Sequence, residues 1–403
     1  MASSSLLQPI SAGFVAAISG FASSFVIVVA GLRAVGATAA EASSGLFAVC
    51  IAIAIVSTVG ALWLRVPLAI AWSTPGAAVL LAAAGGHIRF SDAVGAFLVS
   101  AVLMVLCGLW RWLGRAIASI PRPLASAMLA GVLLPICLAP VQAVATLPQY
   151  AVPIVVVWLV LFRLAPRWAV PAAMLVAVAA ILVAAGTGWV GEAAITPRLV
   201  FVAPTFDPLT VLSVGLPLFV VTMAGQNVPG FVVMNTYGYV APPRFSLVGQ
   251  GVGSAAAALF GGHAINLGAI TAAIMASPEA SPDPSRRWIA TLTNGLLYLP
   301  LGAAAGLATA LISAAPAILV TAVAGLAVLG ALVSSIVSAL EDVRHRIAAI
   351  VTFLVVVSGV VVGGIGSALW GLIAGAITMW WLGWARRDAH SRPADAPPPS
   401  PTE

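Results

Sequence analysis

The chain has 403 residues, of which 62% are hydrophobic and only 7% charged. A helical membrane span takes about 20 apolar residues, and the charges fall mostly between runs of that length, so nearly the whole chain reads as membrane domain and a soluble catalytic domain is excluded. All 17 basic residues are arginine, and the net charge of +6 reads as positive-inside topology, not as a nucleic-acid or acidic partner.

Residues 1–9 form a short polar segment without a basic region, so no cleavable signal peptide is expected. Span one runs from about Ile10 to Leu32, with Ser19-Gly20-Phe21-Ala22-Ser23-Ser24 near its middle, where small residues permit close helix approach. Span two runs from Ala42 to Leu64 after Glu41. Span three is interrupted: Leu68 to Trp72 reads as extended, Ser73 and Thr74 are candidate caps, Pro75 is a first-turn residue, and helix continues past Gly76 to Ala84. Span four runs from Ala93 to about Leu113 after Asp92, and Arg111, Arg115 and Arg122 flank a turn at Pro121 and Pro123. Spans five to seven occupy roughly Leu124 to Val141, Tyr150 to Leu164 and Ala169 to Ala185. The polar-leaning stretch 186–207, with Trp189, Glu192, Pro197, Arg198 and Pro204, is the natural midpoint.

The second half repeats the plan. Span eight runs from about Leu209 to Met234 and span nine from Leu247 to Phe260. Span ten is broken like span three: glycines and a histidine interrupt Gly261-Gly262-His263-Ala264-Ile265-Asn266-Leu267-Gly268, and helix resumes from Ala269 to Ala276. Span eleven runs from Trp288 to about Ile312, and spans twelve to fourteen from Ala317 to Leu340, Ile347 to Val362 and Ser367 to Trp384. Residues 386–403 are too polar and proline-rich to pack and should be a disordered tail.

The expectation is an all-α polytopic membrane protein of 14 transmembrane spans. Seven spans followed by seven make an inverted repeat, because an odd number of crossings reverses the second half. The internal match is weak: Trp72 to Ala83 resembles Ile265 to Ala276 around Gly76 and Gly268, and Ala130-Gly131-Val132 resembles Ala324-Gly325-Leu326. With both termini on the cytoplasmic side, 14 of the 17 arginines lie inside and only Arg33, Arg89 and Arg198 outside, as the positive-inside rule requires.

In lipid, non-helical backbone survives only where protein or a watery cavity satisfies its amides, so the two broken spans should lie inside the bundle and line a site. Their half-helices, beginning near Pro75-Gly76 and near Gly268, would then point their amino termini at each other and offer a carboxylate or other anion two positive helix ends. Two kinked packing helices are the plainer alternative. Span eight carries Gln226 and Asn227, which could donate to a substrate oxygen or bond to a neighbouring helix. Ser23 and Ser24 of span one stand at the equivalent level, and Phe21 or Phe25 could stack on an aromatic ligand or simply pack. No carboxylate lies clearly inside a span. Proton coupling therefore falls to His263, to the substrate's own acidity, or to Glu41 and Asp92 at predicted outer ends, with structural roles open for each. Cys50, Cys107 and Cys137 sit in apolar runs without CxxC spacing and read as packing residues, so no disulfide, metal or cofactor is expected. Nucleotide-loop, HExxH and GxSxG signatures are missing, and an enzyme is not expected.

Trp72-Ser73-Thr74-Pro75-Gly76, Ala224-Gly225-Gln226-Asn227-Val228-Pro229-Gly230 and Gly261-Gly262-His263-Ala264-Ile265-Asn266-Leu267 together resemble the benzoate/proton symporter family, over essentially the whole membrane region. The wider architecture resembles the uracil/proton symporter and related anion transporters. That likeness implies short strands in spans three and ten. It also implies a core of spans one to four (10–115) and eight to eleven (209–313), a gate of spans five to seven (116–188) and twelve to fourteen (314–385), and a connection at 189–208. Where the uracil symporter has acidic residues in spans eight and ten, this chain has Gln226, Asn227 and Asn266, which suits an anionic substrate. The expectation is an inner-membrane importer of benzoate or a similar aromatic carboxylate with a proton, using Ser23, Ser73, Thr74, Pro75, Gly76, Gln226, Asn227, Asn266 and Gly268. An anion channel or exchanger of the same architecture is the alternative. A homodimer is open to such a chain, and the residues do not select an assembly.

Overall fold

The computed structural model describes residues 6–83, 88–110, 112, 121–186 and 196–390. Helices α1 (Leu7–Ala34) and α2 (Ala39–Leu64) lead to a three-residue strand, β1 (Ile70–Trp72), and a half-helix, α3 (Thr74–Ala82). Then come α4 (Phe90–Leu109), α5 (Arg122–Thr146), α6 (Pro148–Leu164) and α7 (Pro166–Ala185). The second half opens with α8 (Pro208–Thr236) and α9 (Pro243–Ala258), then a second strand and half-helix, β2 (Ile265–Leu267) and α10 (Ala269–Ala276). It closes with α11 (Trp288–Ala303), α12 (Ala305–Ala314), α13 (Ala317–Glu341), α14 (Arg346–Val357) and α15 (Ser367–His390).

Local chemistry sets several of these boundaries. Thr38 and Glu41 form a reciprocal capping box that starts α2. Asp207 accepts from the Thr210 amide and hydroxyl and starts α8. Six described helices are long and apolar enough to cross a bilayer, seven if the bent pair α11–α12 counts as one, against the fourteen expected. The other expected spans fall on the shorter apolar helices α6, α7, α14 and α15, on α9 and on the two broken segments. Expected span eleven is bent by 53° at Ala304; Pro300 lies just before the break, and its missing N–H and its ring weaken the preceding turn. The expected tail begins later than 386, because α15 is helical to His390; residues 391–403 lie outside the described residues, as do Arg111, Arg115, Trp189 and Glu192.

Packing sorts the helices into two groups. In one, α4 lies along α9, α2 lies between α9 and α11, and α1 packs on α3 and α11. In the other, α5 lies along α13, α14 packs on α15 and α5, and α6 packs on α7. Close approach depends on glycine where α2 meets the turn before β2. A Cβ on Gly45 would run into the Gly261 carbonyl, and Gly261 itself has φ +83°, a region open to glycine at little steric cost.

The two strands meet at the centre of the first group. They pair antiparallel, Ile70 opposite Leu267, Ala71 opposite Asn266 and Trp72 opposite Ile265. The ladder is closed at its ends by Ser73 N–H to Ala264 O (2.8 Å) and Gly268 N–H to Ala69 O (2.9 Å). Each strand is followed by one residue and then a half-helix, so Ser73 and Gly268 are the equivalent N-caps. The match of Gly76 with Gly268 read from sequence is thus out of register.

Candidate functional site

The two half-helices start alike but are finished differently. Ser73 caps α3: its Oγ accepts from the Gly76 N–H at 3.0 Å and is 2.8 Å from the Thr222 hydroxyl of α8. Ser73, Pro75 and Gly76 are buried, and Thr74 is half-buried. Gly268 supplies no side chain, so α10 has no side-chain cap. The Thr271 hydroxyl turns back to donate to Gly268 O at 3.1 Å, leaving the first-turn amides of Ala269, Ile270 and Thr271 without the intrahelical acceptors that later amides have.

Helix α8 passes beside this crossing and is distorted there. Met223–Asn227 form a turn of π-helix, a wide turn that often marks functional positions. Within it Asn227 is fully buried, and its Oδ1 accepts from the Leu267 N–H at 2.9 Å. Asn227 Nδ2 faces Met223 Sδ at 3.4 Å. Gln226 is half-buried and makes no side-chain hydrogen bond among the described residues. Asn266 is fully buried with neither amide atom partnered; buried amides need partners, and an orphaned one beside a helix amino terminus marks a place for a polar ligand or water.

On the other flank, the Trp72 indole N–H donates to Ser24 Oγ at 2.9 Å, and both Ser23 and Ser24 hydroxyls donate to Gly20 O. Aromatic rings continue from there. Phe21 stacks on Phe25 at 5.3 Å and meets Trp72 edge-on at 5.5 Å, and Trp72 meets Tyr298 edge-on at 5.6 Å. The site therefore places an open amide end, unpaired amide side chains and a cluster of rings around one strand pair. Sequence reasoning missed Thr222, Ser254, whose Oγ accepts from the Ile265 N–H at 2.9 Å, and Tyr298. A polar residue inside an apolar run was the available signal for each.

The three proton-coupling candidates part company. His263 is buried, with Nε2 3.0 Å from Ser73 O and Nδ1 unpartnered, so it touches the residue that caps α3. Glu41 is occupied by the α2 capping box through the Thr38 amide and hydroxyl. Asp92 is buried and held by Arg89 Nε at 2.9 Å and by the Thr205 hydroxyl. It ties residues 205–207 to α4, since Thr205 N–H also donates to Ser91 O.

A cavity of about 660 Å³ lies between the two helix groups. Its walls are the carboxyl half of α3 (Val79, Ala82), the middle of α5 (Gly131, Pro135, Ile136), the start of α8 (Asp207, Thr210, Ser213) and the α14–α15 turn (Gly364, Ser367). Asp207 accepts two hydrogen bonds from Thr210, which hold its carboxyl below the usual carboxylate range, so the cavity lining includes a negative charge.

Two broken spans that cross through paired strands, with a helix amino terminus open at the crossing and a cavity between two helix groups, define a membrane transporter. The profile of the benzoate membrane transport protein family matches residues 3–380. The chain is 41% identical over 370 residues to inner membrane protein YdcO of Escherichia coli, covering 91% of this chain and 93% of that one. It is 30% identical over 371 residues to the benzoate membrane transport protein of Acinetobacter baylyi, covering 92% and 94%. The chain belongs to the benzoate membrane transport protein family, a family of membrane transporters and not of enzymes. Its fold is similar to the transmembrane domain of a cyanobacterial bicarbonate transporter, BicA (TM-score 0.57, 16% identity, 92% of this chain and 97% of that one). It is also similar to SLC26A9 (TM-score 0.60, 11% identity, 94% of this chain and 66% of that one).

Proposed function

We propose that this chain imports benzoate or a related aromatic carboxylate together with a proton. The observation that carries the reading is the uncapped first turn of α10 near the ring cluster of Phe21, Trp72 and Tyr298. A Cβ on Gly20 would lie 3.2 Å from the Tyr298 hydroxyl and 3.8 Å from the Thr271 methyl, and a benzoate presents a charged end and an aromatic face to the same site. The carboxylate meets the first-turn amides of α10, with Thr74, Gln226 and Asn266 as polar partners and Ser23 at the rim. Ser73, Pro75, Gly76, Asn227 and Gly268 shape the backbone around it. The ring lies against α1 and α8.

The architecture we propose is fourteen spans in a 7+7 inverted repeat, in the bacterial inner membrane with both termini cytoplasmic. Residues 10–115 and 209–313 form a core that moves against a gate of 116–188 and 314–385. In that orientation the cavity-lining residues Ile88, Asp207 and Gly364 are on the outer side. His263 carries the proton: its contact with Ser73 O joins its charge state to the cap of α3. Glu41 and Asp92, given structural partners above, come second.

The test is uptake of labelled benzoate into proteoliposomes with and without an inward proton gradient, against protein-free vesicles that measure passive diffusion of the neutral acid. Saturable uptake driven by the gradient and lost in Asn266→Ala is expected, and His263→Gln should retain binding while losing the response to the gradient. No uptake above the protein-free control in folded protein overturns the substrate. A second reading, an anion channel or exchanger, is favoured by the fold's likeness to BicA and SLC26A9; it predicts voltage-dependent anion current independent of the proton gradient.

A further inference from the structure

Arg287 is buried, yet its guanidinium meets no carboxylate among the described residues. Instead, Nη1 donates to Ala276 O at 2.7 Å and Nε to Ser281 O at 2.8 Å. Ala276 is the last residue of α10. A cation at this end offsets the partial negative charge of the helix carboxyl terminus. The nearby Asp283 is within electrostatic reach of Arg287, as is the Tyr239 hydroxyl. The Asp283 carboxyl, however, is bonded to Arg286 Nε at 3.3 Å and to the Ser285 amide and hydroxyl, while Arg287 donates to the α10 end directly.

Among the described residues no such arrangement exists at α3. Its last turn closes on Ala83 through backbone bonds to Val79, Leu80 and Leu81 carbonyls, with no basic residue, and its first turn is closed by Ser73. The two half-helices are therefore electrically unequal. Among the described residues, one is capped in front and has no cation in its last turn; the other is open in front and has a buried cation behind.

We propose that Arg287 is a positioning residue that biases the α10 amino terminus toward anions, so that substrate charge is held by α10 and not shared equally with α3. The inference rests on the anion site proposed above and names the half-helix that carries it. Eight residues of helix at 1.5 Å each place the guanidinium roughly 14 Å from a carboxylate docked on the first-turn amides. At that distance and an effective dielectric constant of about 20, a unit charge changes anion affinity roughly sevenfold.

The experiment is equilibrium binding of labelled benzoate to the full chain in lipid nanodiscs, for the wild type, Arg287→Gln and Arg287→Lys, with melting temperatures measured alongside. The expected result is a roughly sevenfold higher Kd for Arg287→Gln and a near-wild-type Kd for Arg287→Lys, which keeps the charge but cannot reproduce the fork of bonds to two carbonyls. Equal losses in both variants, or an unchanged Kd in folded Arg287→Gln, overturns the inference while leaving the anion site standing. If Arg287→Gln does not fold, Arg287→Lys decides: near-wild-type affinity supports the inference, and a sevenfold loss overturns it. Absence of saturable benzoate binding by the wild type overturns the anion site itself, and this inference with it.

Discussion

Replacing Asn227 with alanine tests which of two jobs that amide performs. Its Oδ1 is the acceptor for the Leu267 N–H at 2.9 Å, on the outer edge of β2, and the residue is fully buried. Alanine leaves that buried N–H without its acceptor, and an orphaned buried donor costs about 1–3 kcal/mol. Spread over the unfolding entropy of a chain of 403 residues, this corresponds to a fall in melting temperature of about 1–4 °C. The loss is local to the strand pair, so benzoate transport should fall along with stability. The assay is a thermal melt of purified protein followed by intrinsic tryptophan fluorescence, paired with proteoliposome uptake. Met223→Leu serves as the control, because it removes only the sulfur facing Nδ2 and conserves volume. An unchanged melting temperature with abolished uptake would refute the reasoning, since Asn227 would then be acting on substrate and not on the strand.

Gly45→Ala should abolish folded protein, because the new Cβ meets the Gly261 carbonyl, which is backbone and cannot rotate away. Gly249→Ala, whose Cβ meets Val56 at an ordinary 3.5 Å, should not, and monodisperse yield on size exclusion separates the two. Asp207→Asn should lower the melting temperature at neutral pH, because asparagine caps comparably but removes the negative charge that meets the amino terminus of α8. The carboxyl is held below its ordinary 3.8, so the wild type's advantage is fully present above that value and lost as pH falls through the lower folded-state value. A difference between wild type and Asp207→Asn that instead grows as pH falls below 4 would contradict this.

The broken spans were legible because their chemistry is local. Ser73 followed by Pro75 is a helix start wherever it occurs, and α10 begins at Ala269 as the resumption of apolar helix after Gly268 suggested. The membrane class followed from composition alone. Proline at 300 was equally visible, but whether it kinks a span depends on how neighbours satisfy the freed carbonyl, and only the folded chain shows a 53° bend at Ala304.

What lay beyond the sequence was pairwise and long-range. Ala71 and Asn266 are 195 residues apart in the chain and face each other across a two-stranded ladder, a contact that hydropathy and periodicity cannot specify because both describe one segment at a time. The same limit hid the separate roles of the polar residues. Asn227 and Asn266 look alike in sequence, yet one is spent on the Leu267 amide and the other has no partner. Glu41 and Asp92 looked available for protons until the Thr38 cap and the Arg89–Thr205 contacts were seen. The sequence by itself determined a helical membrane protein with two interrupted spans, since lipid admits no other home for such a composition. The tertiary structure decided that the interruptions join, that one half-helix is capped and the other open, and that a buried arginine stands behind the open one, because each depends on groups brought together by packing.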